Sequence, residues 1–295
     1  METNETETIS GRTPVNEERT LHGTYLVGSE LGSGGFGTVY AAKRRSDQLQ
    51  VAVKYIPKRL VSRLVRVDPE RYPPGMEVVV PPGTEVPREV DLLLRVSEVP
   101  GVIRLVDYLQ DADYYYLVME SVDNCSDLYD FIGNRGRLTD REAKHIFRQV
   151  YEAITQCYNL GVVHRDIKDE NILINTQSLL VKVIDFGSGA VLQDIQYTDF
   201  SGTRCYAPPE WFGARSYGAE SITVWGLGML LYDLVRGDIP FQTVKQVQRA
   251  LLRFDPADNV SDGCQDLITK CLTANPAERA TLEQMGQHPW LKSDY

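Results

Sequence analysis

The sequence lacks any long apolar run, because no stretch reaches the roughly 18 apolar residues that a membrane-spanning helix needs. We therefore expect no membrane association. The chain has 295 residues and is 42% apolar and 24% charged, a composition typical of soluble globular proteins. Residues 1–20 are polar and acidic and contain no apolar core of a signal peptide. They are predicted to form a disordered tail.

Cysteine is scarce, with five residues in an odd, scattered set that contains no CxxC pair. Such spacing argues against a disulfide framework and against a zinc site. We interpret the five cysteines as reduced thiols, which predicts a cytoplasmic or nuclear protein.

Positive charge is also in the minority, with 31 lysines and arginines against 41 aspartates and glutamates. The formal net charge is -10 and the sequence pI is about 5.0. An acidic surface disfavours nonspecific binding to nucleic acid and is compatible with a basic partner or substrate. We expect a monomer.

The predicted secondary structure changes from mostly strands to mostly helices near residue 120. Short β-rich runs occupy residues 25–120 and are interrupted by one helix candidate, EVPREVDLLLRV, which predicts a small antiparallel sheet with a single helix. Helical patterns dominate from Leu128 onward, and Thr139 with Glu142 has the spacing of a capping box. The run SITVWGLGMLLYDLVRG is apolar nearly all round and predicts a buried helix. Shorter helices are predicted near 244–252, 262–272 and 282–286.

Residues 57–87 form a segment rich in proline and arginine between a predicted strand and the helix candidate. Its length predicts an exposed loop that could contain a hairpin. We refer to it below as the insert.

The stretch LGSGGFGTV contains GxGxxG at Gly32, Gly34 and Gly37, a weak signal when taken alone. One interpretation is a plain flexible turn. A second is a dinucleotide-binding loop of an oxidoreductase, which requires a helix directly after the glycines. TVYAAKR follows instead and predicts a strand, so the third interpretation is a hairpin whose backbone N–H groups cover phosphates.

Lys54 ends the apolar strand VAVK, where a lone lysine is usually a solvated strand end. The helix candidate that follows supplies Glu89. A lysine held by a glutamate can direct its ammonium group at two phosphates, so the pair favours a functional role.

The segment VVHRDIKDENILI places five charged residues between two apolar runs. Asp166 could orient a hydroxyl group and accept its proton, and Lys168 could neutralise a phosphoryl group in transfer. Asn171 and Asp185, the latter in VKVIDFGSG, offer oxygen atoms of the kind that Mg²⁺ prefers. The spacing favours a catalytic loop over a solvated loop of chance composition.

In this order the motifs resemble those of a eukaryotic protein kinase over roughly residues 25–291: the glycine loop, VAVK, Glu89, HRDIKDEN, DFG and APPE at 207–210. The resemblance implies an α+β, bilobal fold, with an N-lobe at 25–120 and a C-lobe at 121–292. It also implies that Glu210 pairs with Arg279. Lys168 and the GT at 202–203 resemble the serine/threonine branch.

Within that branch the chain is similar to the Pim family, as in YTDFSGTRCYAPPEW and VWGLGMLLYDLVRGDIPF. Thr223 stands where most kinases have an aspartate that braces the catalytic loop, and Pim kinases also lack that aspartate. Two features depart from the family: Val122 replaces a proline, and the insert is longer than expected.

The resemblance implies ATP and Mg²⁺ as cofactors. Adenine would lie against Leu31, Val39, Ala52 and Leu173, beside Glu120 and the backbone of Val122 in the hinge, with the ribose near Asp127. The phosphates would lie under Gly32, Ser33, Gly34, Gly35, Phe36, Gly37 and Thr38. Lys54, held by Glu89, would bind the α- and β-phosphates, while Asn171 and Asp185 would hold the metal.

The resemblance to Pim also implies substrates with arginines three and five residues before the phosphoacceptor. Asp127, Asp130 and Glu170 would bind the nearer arginine, and Asp233 and Asp238 the farther one. The plain alternative is that these acids are solvated surface charges. Asp199 could pair with Arg165 in place of a phosphate, which predicts constitutive activity. An inactive kinase-like scaffold that binds nucleotide or partners remains the alternative function.

Overall fold

The computed structural model describes residues 19–35, 37–74 and 80–293. Most of the predicted N-terminal tail therefore lies outside the described residues. Phe36, which is predicted to lie over the phosphates, also lies outside them.

The strands of the described chain are β1 (Tyr25–Gly34), β2 (Gly37–Arg44), β3 (Gln50–Pro57), β4 (Leu64–Arg66), β5 (Glu85–Pro87), β6 (Leu105–Gln110), β7 (Tyr114–Glu120), β8 (Cys125–Asp127), β9 (Val162–Val163), β10 (Ile172–Asn175), β11 (Val181–Val183) and β12 (Ala190–Val191).

The α-helices are α1 (Leu21–Thr24), α2 (Arg88–Arg95), α3 (Leu128–Arg135), α4 (Asp140–Asn159), α5 (Pro209–Ala214), α6 (Ala219–Arg236), α7 (Val244–Arg249), α8 (Asp262–Cys271), α9 (Leu282–Gln287) and α10 (Pro289–Lys292). Short 3₁₀ turns include Lys58–Leu60, Asp169–Asn171 and Phe186–Ser188.

The N-terminal half is built on a five-stranded antiparallel sheet in the order β1-β2-β3-β7-β6. The sheet is favoured because β3 and β7 are rich in β-branched and aromatic residues, which pack on both faces of the sheet. Helix α2 packs against it and buries Val90, Leu92, Leu93 and Leu94. The predicted small sheet with one main helix is confirmed.

The C-terminal part is mostly helical and is organised around α6, which is buried along nearly its whole length. Trp225, in the middle of α6, is fully buried and stacks on Phe241. Helix α4 begins at the predicted capping box, in which Thr139 and Glu142 each bond the other's backbone N–H. The bilobal α+β fold is the observed architecture.

The insert is more ordered than the sequence predicts. Strands β4 and β5 pair as an antiparallel hairpin, which confirms that expectation. However, Val67, Tyr72 and Val86 are buried, so the expectation of an entirely exposed loop was wrong. The reason is a contact with α2, because the Tyr72 hydroxyl donates a hydrogen bond to the buried carboxylate of Asp91 at 2.8 Å.

Three structural findings bear on the expectations drawn from composition. All five cysteines are free thiols, as predicted. Within residues 19–35, 37–74 and 80–293, no helix is long and apolar enough to cross a membrane. Over the same described ranges, no group of three or more histidine, cysteine, aspartate or glutamate side chains could hold a metal ion.

Candidate active site

The glycine loop is the turn between β1 and β2, and a strand follows it, as predicted. Gly34 pairs with Gly37 at the end of the hairpin, and the hydroxyls of Ser33 and Thr38 are 3.0 Å apart. Gly37 has φ 139°, and a Cβ atom there would lie 2.1 Å from the carbonyl oxygen of Tyr55. Only glycine fits this position, so β2 can approach β3 closely at its start. The strand after the glycines rules out the dinucleotide-binding interpretation.

The other glycines of the loop have a different environment. A Cβ atom at Gly32, Gly34 or Gly35 would meet no heavy atom within 4 Å. These positions are therefore not required for packing against the described protein. They leave the loop backbone uncovered on the side where the sequence predicts phosphates.

Three half-buried apolar side chains mark the wall predicted to contact adenine. Ala52 is half-buried, although its two neighbours in β3 are at most 2% exposed. Leu173 is likewise half-buried between two fully buried residues of β10. Val39 is half-buried and Leu31 is 61% exposed. A half-buried apolar residue between two buried neighbours, as at Ala52 and Leu173, indicates a side chain that faces a cleft.

The predicted hinge lies between β7 and β8. The Glu120 carboxylate accepts a hydrogen bond from the Arg104 N–H at 2.9 Å and pairs with Lys182 at 2.8 Å. This side chain is thus engaged with the protein. Val122 packs partly buried against the main core, and Asp127 lies opposite Leu173 across the β8–β10 pair.

Lys54 connects the two halves of the molecule. Its ammonium group is 2.7 Å from the Glu89 carboxylate on α2 and 2.8 Å from Asp185, and the lysine is only 6% exposed. Burial alone would lower the pKa of Lys54, but the two carboxylates outweigh it and hold this pKa above its usual value. Lys54 is therefore charged at neutral pH and positioned by two acids from distant parts of the chain.

The two carboxylates respond differently to the same lysine. Burial raises the pKa of Glu89, and Lys54 only partly opposes this rise. Burial also acts to raise the pKa of Asp185, but there Lys54 outweighs it, so the pKa is lowered. The carboxyl group of Asp185 therefore ionises more readily than that of Glu89, which suits its predicted role as a metal ligand.

Asp166 is buried and held in one orientation by its neighbours. One carboxylate oxygen accepts the Thr203 N–H at 2.9 Å, and the other accepts the Asn171 side-chain amide at 3.1 Å. The same amide nitrogen donates to the Asp166 backbone carbonyl at 2.8 Å. Asn171 thus uses its nitrogen to orient Asp166 and keeps its amide oxygen for another partner. The Lys168 ammonium lies 3.8 Å from Asp166 and donates to the Thr203 hydroxyl at 2.8 Å.

His164 braces the catalytic loop, a role that sequence reasoning missed. Its Nε2 is 2.9 Å from the Ile184 carbonyl, while its Nδ1 accepts the Asp166 N–H at 3.3 Å. Burial lowers the pKa of His164, so a neutral ring with the proton on Nε2 fits both contacts. Thr223 stands where most kinases have an aspartate that braces this loop. Its hydroxyl donates a hydrogen bond to the Ala219 carbonyl of its own helix. The only sequence signal for this bracing role was the position of a histidine between an apolar strand and a run of charged residues.

The segment after β11 places the second predicted metal ligand. Asp185 adopts left-handed backbone angles, with φ 62°, and its side chain accepts the Gly187 N–H at 3.1 Å. Phe186 is fully buried and meets the His164 ring edge-on, with the centroids 4.7 Å apart. The oxygen donors of Asp185 and Asn171 fit a hard cation that completes its shell with phosphate and water oxygens.

The activation segment, residues 185–210, contacts the catalytic loop through Arg165. The Arg165 side chain is fully buried, and its guanidinium lies 3.4 Å from the Asp199 carboxylate. It also donates to the Ser188 carbonyl at 2.7 Å and lies over the ring of Tyr197. Asp199 itself is 64% exposed. The sequence-predicted pair is therefore present, with a long contact between its charged groups.

The end of the same segment is fixed by a buried ion pair. Arg279 donates to both carboxylate oxygens of Glu210, each at 2.9 Å, and its side chain is 1% exposed. The Ser221 hydroxyl also contacts Glu210 at 2.8 Å. The predicted pairing of Glu210 with Arg279 is confirmed.

The acids predicted to bind the nearer arginine lie at the rim of the site. Asp130 is exposed, and Asp127 is half-buried and caps α3 by accepting the Asp130 N–H at 2.7 Å. Burial raises the pKa of Asp127, with smaller effects of nearby Asp130, Asp169 and Glu170. Glu170 is exposed and pairs with Lys168 at 2.5 Å.

The acids predicted for the farther arginine differ strongly in exposure. Asp238 is exposed, whereas Asp233 is 4% exposed, and one of its buried oxygens has no hydrogen-bond partner among the described residues. Burial, followed by the neighbouring carboxylate of Asp169, raises the pKa of Asp233 to about 8. Sequence reasoning did not select Asp169, whose charge contributes to the raised pKa of both Asp127 and Asp233. The Tyr206 hydroxyl donates a hydrogen bond to Asp169 at 3.3 Å.

Comparison with known proteins agrees with this geometry. The protein kinase domain family matches residues 25–291. The chain is 44% identical to the serine/threonine-protein kinase pim-2 of Danio rerio, over 90% of this chain and 84% of that protein. It is 40% identical to the serine/threonine-protein kinase prk-2 of Caenorhabditis elegans, over 91% of this chain and 58% of that protein.

Proposed function

The chain belongs to the protein kinase family and is an ATP-dependent serine/threonine kinase, and we propose that it phosphorylates arginine-rich sequences without prior phosphorylation of its activation segment. The observation that supports activity without prior phosphorylation is the assembled set of catalytic side chains. Lys54 contacts Glu89 and Asp185 at the same time, while Asp166 is already oriented.

Each catalytic side chain then has a specific task. Lys54 would hold the α- and β-phosphates of ATP, since Glu89 keeps its ammonium group in place. Asp166 would accept the proton of the substrate hydroxyl as it attacks. Lys168 would neutralise charge on the phosphoryl group in transfer. Little covalent chemistry falls to the protein, so positioning and charge stabilisation dominate the rate.

The proposed metal site consists of Asn171 and Asp185. Both supply oxygen atoms, the ligands that Mg²⁺ prefers, and two protein ligands suffice when phosphates and water provide the others. Mg²⁺ there would neutralise the phosphate oxygens of ATP. The chain's own contribution is to fix the two ligands, because Asp185 caps its own turn and Asn171 is bound to Asp166.

The proposed preference for arginine rests on the acids around Asp169. The charge of Asp169 contributes to the raised pKa of both Asp127 and Asp233, so Asp169 lies near both of them, with Asp130 and Glu170 also near Asp127 and Asp238 near Asp233. Exposed ion pairs contribute only about 0–1 kcal/mol, so single rim acids would discriminate poorly. A guanidinium that contacts two carboxylates at once would contribute more.

Steady-state kinetics on peptides test this preference. The parent peptide carries arginines three and five residues before its serine, and each arginine is replaced by alanine in turn. Each replacement should lower kcat/KM at least about tenfold, since hydrogen bonds to charged groups contribute about 1.5–3 kcal/mol and about 1.4 kcal/mol is a factor of ten.

Two enzyme variants assign the contacts. Asp127→Asn/Glu170→Gln should lose discrimination at the nearer arginine only, and Asp233→Asn/Asp238→Asn at the farther arginine only. Asp262→Asn/Glu283→Gln changes two exposed acids elsewhere and is the matched control. If wild-type enzyme uses the alanine peptides as well as the parent, the proposed preference is wrong.

An inactive scaffold is the alternative function. It would bind nucleotide through the same side chains but would show no turnover with any peptide, so the same assay separates the two. The five free thiols are consistent with a reducing compartment. The proposed location is therefore the cytoplasm or the nucleus.

A further inference from the structure

Helix α2 carries Glu89, and its position depends on contacts with the rest of the fold. It has only eight residues, Arg88–Arg95, and helices of this length are marginally stable on their own. No side chain among the described residues caps its N-terminus. The contacts that hold α2 therefore decide where the Glu89 carboxylate lies relative to Lys54.

The insert, which the kinase mechanism above does not use, joins α2 without an intervening loop. Strand β5 ends at Pro87, the residue directly before the helix, and pairs with β4 from Leu64 to Arg66. The backbone N–H of Arg88 has no acceptor within the helix, and it donates to the Arg63 carbonyl of the insert at 3.3 Å. The hairpin thus sets the direction in which the helix begins.

A second connection between the insert and α2 is made by side chains. The Tyr72 hydroxyl donates to one oxygen of Asp91 at 2.8 Å, and the Arg95 guanidinium donates to the other at 3.0 Å. Asp91 is fully buried, so the loss of a donor would leave its carboxylate unsatisfied. Burial, followed by the effect of Asp91, raises the pKa of Tyr72, so the hydroxyl keeps the proton that it donates.

The helix is held from two sides. Because an α-helix has 3.6 residues per turn, side chains two positions apart, such as Glu89 and Asp91, point about 200° apart around the axis. Glu89 binds Lys54 of the sheet at 2.7 Å, while Asp91 binds Tyr72 of the insert. The insert therefore holds the side of α2 that lies away from Lys54.

We propose that the insert is an internal activating element, and that Tyr72 is a positioning residue for phosphoryl transfer that acts on Glu89 through Asp91 and α2. Without the Tyr72 hydroxyl, α2 would shift to satisfy Asp91, and a smaller fraction of molecules would hold Glu89 at Lys54. The proposal rests on the role assigned above to Glu89. It does not depend on the proposed arginine preference or on the phosphorylation state of the activation segment.

Steady-state kinetics with ATP and a serine peptide, together with Tm values, test this role on the full chain. Tyr72→Phe should lower kcat at least about threefold. Tyr25→Phe is the matched control, because the buried Tyr25 hydroxyl also donates to a buried carboxylate, that of Asp107, at 2.9 Å. Tyr25 belongs to a hydrophobic cluster separate from the one that contains α2. Both variants should lower Tm, but only Tyr72→Phe should lower kcat.

A double-mutant cycle with Glu89→Gln separates positioning from a general loss of stability. If Tyr72 acts through Glu89, Tyr72→Phe should lower kcat in the wild-type background but cause no further loss in the Glu89→Gln background. A merely structural role would give the same fold-change in kcat in both backgrounds.

The outcomes distinguish this proposal from the assignments on which it rests. A loss of kcat in Tyr72→Phe that is absent from Tyr25→Phe and disappears in the Glu89→Gln background supports it. If kcat is unchanged in Tyr72→Phe, or falls equally in both tyrosine variants or in both backgrounds, Tyr72 is not a positioning residue and the role of Glu89 stands. If Glu89→Gln itself leaves kcat unchanged, the role of Glu89 is wrong and the proposal fails with it.

Discussion

Several side chains of this site are ionisable groups buried in the fold, and the fold compensates each of them in a different way. Lys54 is compensated by two carboxylates, and Asp166 by hydrogen bonds from Thr203 and Asn171. Asp233 has no cation in contact among the described residues, and it is 4% exposed. An uncompensated buried charge is costly, so this carboxyl group retains its proton as long as no cation is bound beside it.

Asp233 therefore makes the stability of the protein depend on pH. Its pKa is about 8 in the folded chain and 3.8 in the reference state, so the folded state holds a proton that the unfolded state releases. Stability from this group is fully present below the lower value and is lost as pH rises towards about 8.

Urea unfolding at several pH values between about 4 and 9 measures this effect. Asp233→Asn removes the titration, so the stability of the variant relative to wild type should increase up to about pH 8 and then stay constant. Asp238→Asn, at an exposed position, is the control. A wild-type minus Asp233→Asn difference that is the same at every pH would contradict the assignment.

At this scale motif order predicts which residues form the site, whereas their environments come only from the fold. Asp166, Lys168, Asn171 and Asp185 follow from motif order, because each residue type matches one task in phosphoryl transfer. The brace formed by His164 did not follow, since its two partners are backbone groups that only the fold brings together.

Among the elements, the β1–β2 hairpin has one glycine that geometry requires. Gly37→Ala should lower the free energy of unfolding by about 1–3 kcal/mol, because φ is positive and the added Cβ would collide with the Tyr55 carbonyl. Gly34→Ala adds a Cβ that meets no atom within 4 Å and should leave stability nearly unchanged. Tm values for both variants decide this, and equal effects would show that the collision is relieved by movement of the strand.

The activation segment provides a second prediction at the level of elements. If Asp199 substitutes for a phosphate, wild-type enzyme treated with phosphatase should keep most of its activity. Asp199→Asn should lower kcat, because the buried Arg165 guanidinium loses its carboxylate partner. Asp194→Asn, an exposed acid of the same segment, is the control. Mass spectrometry verifies dephosphorylation, and a large loss of activity on treatment would refute constitutive activity.

Element types were predictable where local patterns were strong. The buried helix, the capping box and the strand after the glycines all follow from periodicity and capping chemistry. The burial of Val67 and Tyr72 in the insert was not predictable. It depends on contact with α2, including the hydrogen bond to Asp91, and local sequence carries no signal for such a contact.

For the whole molecule, the two halves supply different parts of one site. The sheet and α2 provide Lys54 and Glu89, and the helical part provides Asp166 and Asp185. Motif order predicts these residues for the site, but only the fold shows that Lys54 contacts Asp185 across 131 positions of sequence. The relative placement of the halves, rather than any single motif, completes the site.

The most direct test of this account is phosphotransfer from ATP to a peptide by purified wild-type protein and by Lys54→Met, Asp166→Asn and Asp185→Asn. Tm values confirm that each variant is folded. The account predicts robust turnover by wild type and a loss of at least about 100-fold in kcat for every variant, since each removes charge or positioning at the reacting groups. Comparable turnover by any folded variant, or none by wild type, would contradict it.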